Sequence, residues 1–219
     1  MILCFTGWQQ KRDALAAIVP DALHFDYAAY GNCADMFPAL PGDAELVIGW
    51  SLGGQLLARA VAGGFIKPKK LVLLAAPFQC VADAHFTQAM PAADFKGIRD
   101  NYATNPRAMV AQFQAIAGFG NKPVIRELSR DVTVWKNGLF WLEELGGTSC
   151  RNLDFSLFPE TVIVHGTNDK VFDVVQAKEF AACIPRSQLV LLPEVSHALH
   201  LQVREPLKEL LKPCLTNAA

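Results

Sequence analysis

Three residues, Ser51, Asp169 and His197, have the types and the chain order that nucleophilic acyl chemistry requires. A serine hydroxyl attacks a carbonyl carbon once a base takes its proton. Histidine supplies that base, and a carboxylate orients the ring and stabilises its charged form. Ser51 sits in Gly49-Trp50-Ser51-Leu52-Gly53, which fits G-x-S-x-G, a nucleophile carried on a tight strand-to-helix turn. Small residues flank the serine because larger side chains clash in so sharp a turn. Five residues of this pattern also recur by chance, so the context decides.

The context fits. The buried run "ELVIGW" reads as a strand and "LGGQLLARAV" as a helix, with Ser51 between them. Asp169 follows the apolar run "TVIVHG" and its His165-Gly166 turn, with Asp173 as the fallback acid. His197 lies in the loop after "LVLLPEV", and His200 competes with it from about one turn into the next helix. Each residue alone has an ordinary reading: a turn-forming or helix-capping aspartate, a satisfied polar histidine. All three following strand C-terminal ends, in the required order, is the arrangement in which α/β sites assemble. A developing oxyanion needs two backbone N–H donors. Leu52, after the nucleophile, offers one, and Trp8, in the loop after the first strand, offers the other; Trp8 also reads as a core aromatic.

The elements that must hold these residues alternate along the chain. "MILCF", "LHFDY", "AELVIGW", "KLVLLAAP", "TVIVHG" and "QLVLLPEV" read as six strands. Between them, "KRDALAAIV", the segment after Ser51, "VFDVVQAKEFAACI" and "EPLKELLKPC" read as helices. Short apolar strands alternating with amphipathic helices predict an α/β fold, a mostly parallel sheet covered on both faces. From residue 80 to 158 the strand rhythm stops and the chain reads as helices. In "NPRAMVAQFQAIAG", Asn105 is the expected N-cap, Pro106 opens the first turn and Gly118 stands just past the end. "KPVIRELSRD" and "LFWLEELGG" follow as further helices. The expected organisation is a core of residues 1–79 and 159–219 with residues 80–158 inserted as a helical lid; a purely structural subdomain is the alternative.

Composition narrows the classes. The 219 residues are 52% hydrophobic and 19% charged with a net charge of −1, which argues against nucleic-acid binding by bulk positive charge. Six cysteines without a C-x-x-C pair suggest reduced thiols rather than a disulfide framework or zinc site. The N-terminus lacks the charge-then-apolar order of a signal peptide and no run approaches a membrane span, so a cytoplasmic protein is expected. His197 and His200 at i, i+3, with His165 near Asp169, lack a convincing third or fourth metal ligand, and "GWSLGG" lacks a phosphate-loop lysine. No cofactor is expected.

Over its whole length the chain resembles the α/β-hydrolase superfamily, starting at what would be that fold's third strand. Within it, "GWQQ", "VIGWSLGG", "LLAAPFQC", "FKGIRDNYATNPRAMVAQFQAI" and "WKNGLFWLEEL" resemble the BioH-type pimeloyl-acyl-carrier-protein methyl ester carboxylesterases of biotin synthesis. The resemblance implies cleavage of a methyl ester from a pimeloyl chain on acyl carrier protein. It implies an oxyanion hole from Trp8 and Leu52, and an acyl channel lined by Trp8, Trp50 and Phe113. It further implies that Arg126 and Arg130, at i, i+4 on a lid helix, grip the acidic carrier. From Lys96 to Lys136 seven basic residues face three acidic ones, which suits such a partner and equally a solvated helix face. Thr6 stands where the family has histidine before the first glycine, and Ala108 and Gln112 replace the usual arginines before Phe113, with Arg107 nearby. A general short-chain carboxylesterase or thioesterase, and a non-catalytic hydrolase-fold binding protein, are the alternatives. A monomer is expected.

Overall fold

A computed structural model of the chain describes residues 1–118 and 132–216. Six strands, β1 Ile2–Phe5, β2 Leu23–His24, β3 Asp43–Trp50, β4 Lys67–Leu74, β5 Glu160–Gly166 and β6 Ser187–Leu192, form one sheet in the order β2-β1-β3-β4-β5-β6. Every pairing is parallel. The helices are α1 Cys33–Met36, α2 Leu52–Ala62, α3 Ala92–Thr104, α4 Pro106–Gly118, α5 Val132–Gly147, α6 Val175–Cys183, α7 Leu199–Gln202 and α8 Arg204–Thr216.

The strands are apolar on both faces, as a sheet covered twice requires. Alternation sorts their side chains. Leu3, Phe5, Val47, Leu71, Leu73 and Ile163 enter one core with α2 and α6, while Cys4, Leu46, Ile48, Trp50, Val72 and Val164 enter the other with α7 and α8. Parity therefore places Trp50 with Ile48, on the face opposite Val47.

Helices α3, α4 and α5 all lie between β4 and β5 in sequence. The neck of this insertion is closed by an antiparallel bridge between Gln79 and Ser149 and by Cys150 N–H donating to the Phe78 carbonyl at 2.8 Å. Gln176 on α6 pins the neck from below, its Oε1 accepting from the backbone of Phe78 and Gln79 at 2.8 and 2.9 Å. Asn105 caps α4, its Oδ1 accepting from Ala108 N–H at 3.2 Å.

Two elements differ from the sequence expectation. "KRDALAAIV" winds as successive turns, with Ala14, Ala16 and Ile18 each bonding three residues back, and forms no helix. Its spacing buries Leu15, Ile18 and Val19 equally well in this tighter winding, so the apolar pattern did not distinguish the two. "LHFDY" yields a strand of only two residues, because the chain leaves the sheet edge at Phe25 for a one-turn helix at Tyr27–Ala29. "KPVIRELSRD" lies outside the described residues. No described helix is long and apolar enough to cross a membrane.

Candidate active site

Ser51 stands between β3 and α2 with φ 56° and ψ −127°, a backbone conformation that a side chain adopts only under strain. Two glycines make room for it. A Cβ on Gly49 would lie 2.5 Å from Gly54 Cα, and one on Gly53 would lie 2.5 Å from the Thr6 carbonyl oxygen. Ser51 N–H donates to the Leu74 carbonyl at 2.8 Å, fixing the turn to β4. The requirement for small residues at these positions is thus backbone against backbone.

The turn presents the Ser51 hydroxyl 2.9 Å from His197 Nε2, and His197 Nδ1 lies 2.8 Å from Asp169 Oδ2. All three side chains are removed from solvent. Asp169 Oδ1 accepts from the backbone of Val171 and Phe172 at 2.8 and 3.0 Å, so the carboxylate is oriented by its own loop. Burial pushes the Asp169 carboxyl up, but the charge and hydrogen bond of His197, then His165 and the Phe172 N–H, outweigh it and hold it below the usual range. With Asp169 ionised, Nδ1 carries the proton and Nε2 is free to accept one from Ser51. This is a geometry in which imidazole takes a proton from a hydroxyl.

The structure therefore brings Ser51, Asp169 and His197 into one hydrogen-bonded line. The fallbacks fall elsewhere. Asp173 Oδ1 accepts from Val175 N–H at 2.9 Å, next to the start of α6. His200 packs its ring on Trp50 at 4.2 Å, and neither ring nitrogen finds a partner among the described residues.

Leu52 follows Ser51 in the chain, and Trp8 lines the same cavity as Ser51. Gly7 reaches the nucleophile, since a Cβ there would lie 3.3 Å from Ser51 Cβ. Residues 7–10 form a turn closed by Gln10 N–H on the Gly7 carbonyl at 3.2 Å, with Gln9 at φ 58°. That positive φ, which a glycine would take more easily, is held by Gln9 Nε2 on the Tyr102 hydroxyl at 2.7 Å. The Trp8 indole donates to the Gly138 carbonyl at 2.8 Å, tying this loop to α5. Neither the Trp8 nor the Leu52 backbone N–H donates to a backbone acceptor among the described residues. Leu52 N–H also opens helix α2, whose N-terminal end favours negative charge.

A cavity of about 170 Å³ opens against Ser51. Its walls come from the insertion and the core: Met109 and Phe113 of α4, Leu142 and Leu145 of α5, Trp8, and Phe172 of the acid loop. Phe113 sits edge-on to Trp8 at 5.5 Å and 6.4 Å from the His197 ring. Trp50 is a correction to the sequence reading. It does not line this cavity; its indole lies on the opposite sheet face and donates to the His197 carbonyl at 3.0 Å, below the base. Arg126 and Arg130 lie outside the described residues.

His165 is the residue that sequence reasoning passed over except as a weak metal ligand. Its Nε2 lies 3.4 Å from Asp169 Oδ2 and 2.9 Å from the Phe172 carbonyl oxygen, with the side chain fully buried. Both neighbours are acceptors, so the proton belongs on Nε2. Burial above all keeps the ring neutral, pushing its pKa down against the opposing charge of Asp169. The signal available in sequence was its place four residues before Asp169 at a strand end.

Comparison with known proteins agrees with this architecture. The chain is 28% identical over 185 residues to the biotin biosynthesis bifunctional protein BioHC of Saccharophagus degradans, covering 76% of this chain and 32% of that protein. It is 27% identical over 187 residues to the serine hydrolase BPHL of Mus musculus, covering 84% and 59% respectively. The chain thus spans about a third and about three-fifths of the lengths of these curated relatives. Among solved structures it is similar to the esterase EaEST of Exiguobacterium antarcticum, with a TM-score of 0.76, 16% identity, and coverage of 98% of this chain and 91% of that one. Residues 5–211 match the model of the alpha/beta hydrolase family, and the chain belongs to it.

Proposed function

We propose that the chain is a serine carboxylesterase acting on small esters. The observation that carries this reading is the continuous line from Ser51 Oγ through His197 to Asp169, opening on an apolar cavity. In this scheme His197 Nε2 takes the Ser51 proton as Oγ attacks the ester carbonyl. Backbone N–H groups of Trp8 and Leu52 receive the developing oxyanion. Collapse of the tetrahedral intermediate expels the alcohol, which takes the proton from His197 and leaves an acyl-serine. A water molecule then gives its proton to His197 and attacks the acyl-serine, releasing the acid and restoring the Ser51 hydroxyl. Trp8 and Phe113 form part of the acyl wall.

The cavity volume supports small acyl groups. An engineered apolar cavity of about 150 Å³ takes up benzene, and the space here, about 170 Å³, is of the same order. Thioesters of similar acyl size fit the same chemistry. The test is hydrolysis of p-nitrophenyl butyrate by the parent and by Ser51→Ala, with mass-spectrometric location of a fluorophosphonate label. Loss of turnover and of label in a folded Ser51→Ala protein is expected. Full turnover in that variant would instead support the non-catalytic or otherwise different use of this fold.

A second, narrower reading is hydrolysis of pimeloyl-acyl-carrier-protein methyl ester. What favours it is the similarity to a protein named for biotin biosynthesis, together with Trp8 and Phe113 at the cavity. Arg126 and Arg130 as carrier contacts belong to this proposal. Growth of a biotin auxotroph lacking its own esterase, restored by the parent and not by Ser51→Ala, supports it. No growth from well-expressed parent leaves the general esterase.

A further inference from the structure

Apart from Ser51, the cavity is lined almost wholly by apolar and aromatic side chains, and two polar ones, Gln112 and Lys170, break the pattern. Gln112 projects from α4 of the insertion, and Lys170 from the loop that carries the catalytic acid. Both residues are exposed at the cavity mouth, and neither side chain has a hydrogen-bond or ion-pair partner among the described residues, whereas the indole N–H of Trp8 is already engaged by Gly138. An apolar binding site with a few unengaged, convergent polar groups is how a site fixes the orientation of one ligand.

From this juxtaposition we infer that Lys170, assisted by Gln112, forms a carboxylate subsite, and that the preferred substrates are small esters carrying a carboxylate. The inference rests on the esterase reading above. Asp169, its neighbour in the chain, does not compete for the lysine. Asp169 Oδ2 is taken by His197 and faced by His165, and its Oδ1 is taken by the Val171 and Phe172 N–H groups. Its side chain is fully buried while Lys170 is exposed. Asp173 Oδ1 accepts from the Val175 N–H at the start of α6. The two backbone bonds to Asp169 Oδ1 also hold the loop immediately after Lys170, so the ammonium works from a fixed base. The Gln112 carboxamide offers a neutral N–H donor from α4, which completes a carboxylate's partners without repelling apolar chains.

The carboxylate has two sources, the distal end of the acyl group or the alcohol, and the test separates them. Three esters of matched size are compared on the parent: methyl pentanoate, the monomethyl ester of adipate, and the butyryl ester of glycolate. Expected is a higher kcat/KM for one of the two anionic esters than for the neutral one, the favoured ester naming the side on which the anion sits. In Lys170→Met that ratio falls about 10-fold, mainly through KM, and Lys170→Arg retains it. In the parent, raising the salt from 0.05 to 0.5 M lowers the ratio, since a half-open ion pair is screened. A parent without preference for either anionic ester, or a ratio unchanged in Lys170→Met, overturns the carboxylate subsite and leaves the esterase reading intact. A parent that hydrolyses p-nitrophenyl butyrate but none of the three overturns the subsite alone, and one that hydrolyses none of the four overturns the esterase reading and the subsite with it.

Discussion

His165 Nε2 lies 3.4 Å from Asp169 Oδ2, the same carboxylate oxygen that His197 Nδ1 meets at 2.8 Å. One oxygen therefore faces two imidazoles, one that meets Ser51 Oγ at 2.9 Å and one that burial keeps neutral. The second ring limits where the carboxylate can swing, while its bond to the Phe172 carbonyl at 2.9 Å keeps the acid loop folded under it. His165 is a positioning residue: it acts on Ser51 only through Asp169 and His197. Replacing it with leucine removes an N–H that favours the ionised carboxylate, so the Asp169 pKa rises. Expected for His165→Leu is a kcat lower by about 10-fold at little change in KM. The acid limb of the pH–rate profile moves to higher pH, and His165→Asn, which keeps a donor, restores part of both. A loss of kcat with an unmoved acid limb would assign His165 to packing alone.

The turn at Ser51 depends on backbone approach that no side chain permits. A Cβ on Gly49 would meet Gly54 Cα at 2.5 Å and Gly54 N at 2.6 Å, and neither is the mobile end of a flexible group. Gly49→Ala must push α2 away from β3 and carry Ser51 Oγ off the His197 line. The expected cost is about 1–3 kcal/mol or more of stability, with activity lost by at least about 100-fold. Gly42→Ala is the control, since nothing lies within 4 Å of a Cβ there. Urea denaturation and ester turnover on the two variants check the contrast.

What the sequence made legible follows from local chemistry. The six strands, the Ser51 turn and the order of Asp169 and His197 were readable because each is announced within about ten residues by an apolar run and a small-residue turn. The choice of His197 over His200 was readable too, because His200 falls past the strand end on α7. Trp50 was misplaced although the signal was present. It shares strand parity with Ile48 and so belongs to the face away from the cavity, whereas the family resemblance implies a place in the acyl channel. The place of His165 four residues before Asp169 was visible in the sequence, but its contact with the carboxylate was not. Its role depends on how the loop after β5 folds back until Phe172 reaches the ring, which local pattern does not encode. The roles of Gln112 and Lys170 depend on a wall assembled from segments 58 positions apart.

His200 makes a prediction about pH. It is buried beside Trp50 with neither ring nitrogen partnered among the described residues, and burial, then the charges of His197 and Arg204, push its pKa down to about 3. An unfolded histidine titrates near pH 6.5. Between these values the unfolded chain binds a proton that the folded chain refuses, so stability falls as pH falls through that window. Asp169, held below the usual carboxylate range, acts in the same direction but only at lower pH. His200→Leu removes the histidine contribution. Its unfolding free energy is expected to drop less than that of the parent between pH 7 and pH 4, measured by urea titration. Parallel losses in both proteins would show that His200 titrates normally in the fold.

Met109 tests what sets the acyl length. It projects from α4 into the cavity, is itself buried, and belongs to the insertion rather than to the sheet that holds Ser51. Truncating it to alanine lengthens the cavity without touching the hydrogen-bonded line of Ser51, His197 and Asp169. The buried methionine also contributes to packing, so Met109→Ala costs about 2–5 kcal/mol of stability. Its activity is therefore measured at a temperature where the variant remains folded. Across a series of straight-chain p-nitrophenyl esters, the optimum is expected to move toward longer acyl groups by about two carbons, because the three heavy atoms removed leave space of that order. The change appears as a lower KM for the longer esters. Equal losses on every chain length would place the acyl group elsewhere and would leave this cavity without a part in substrate selection.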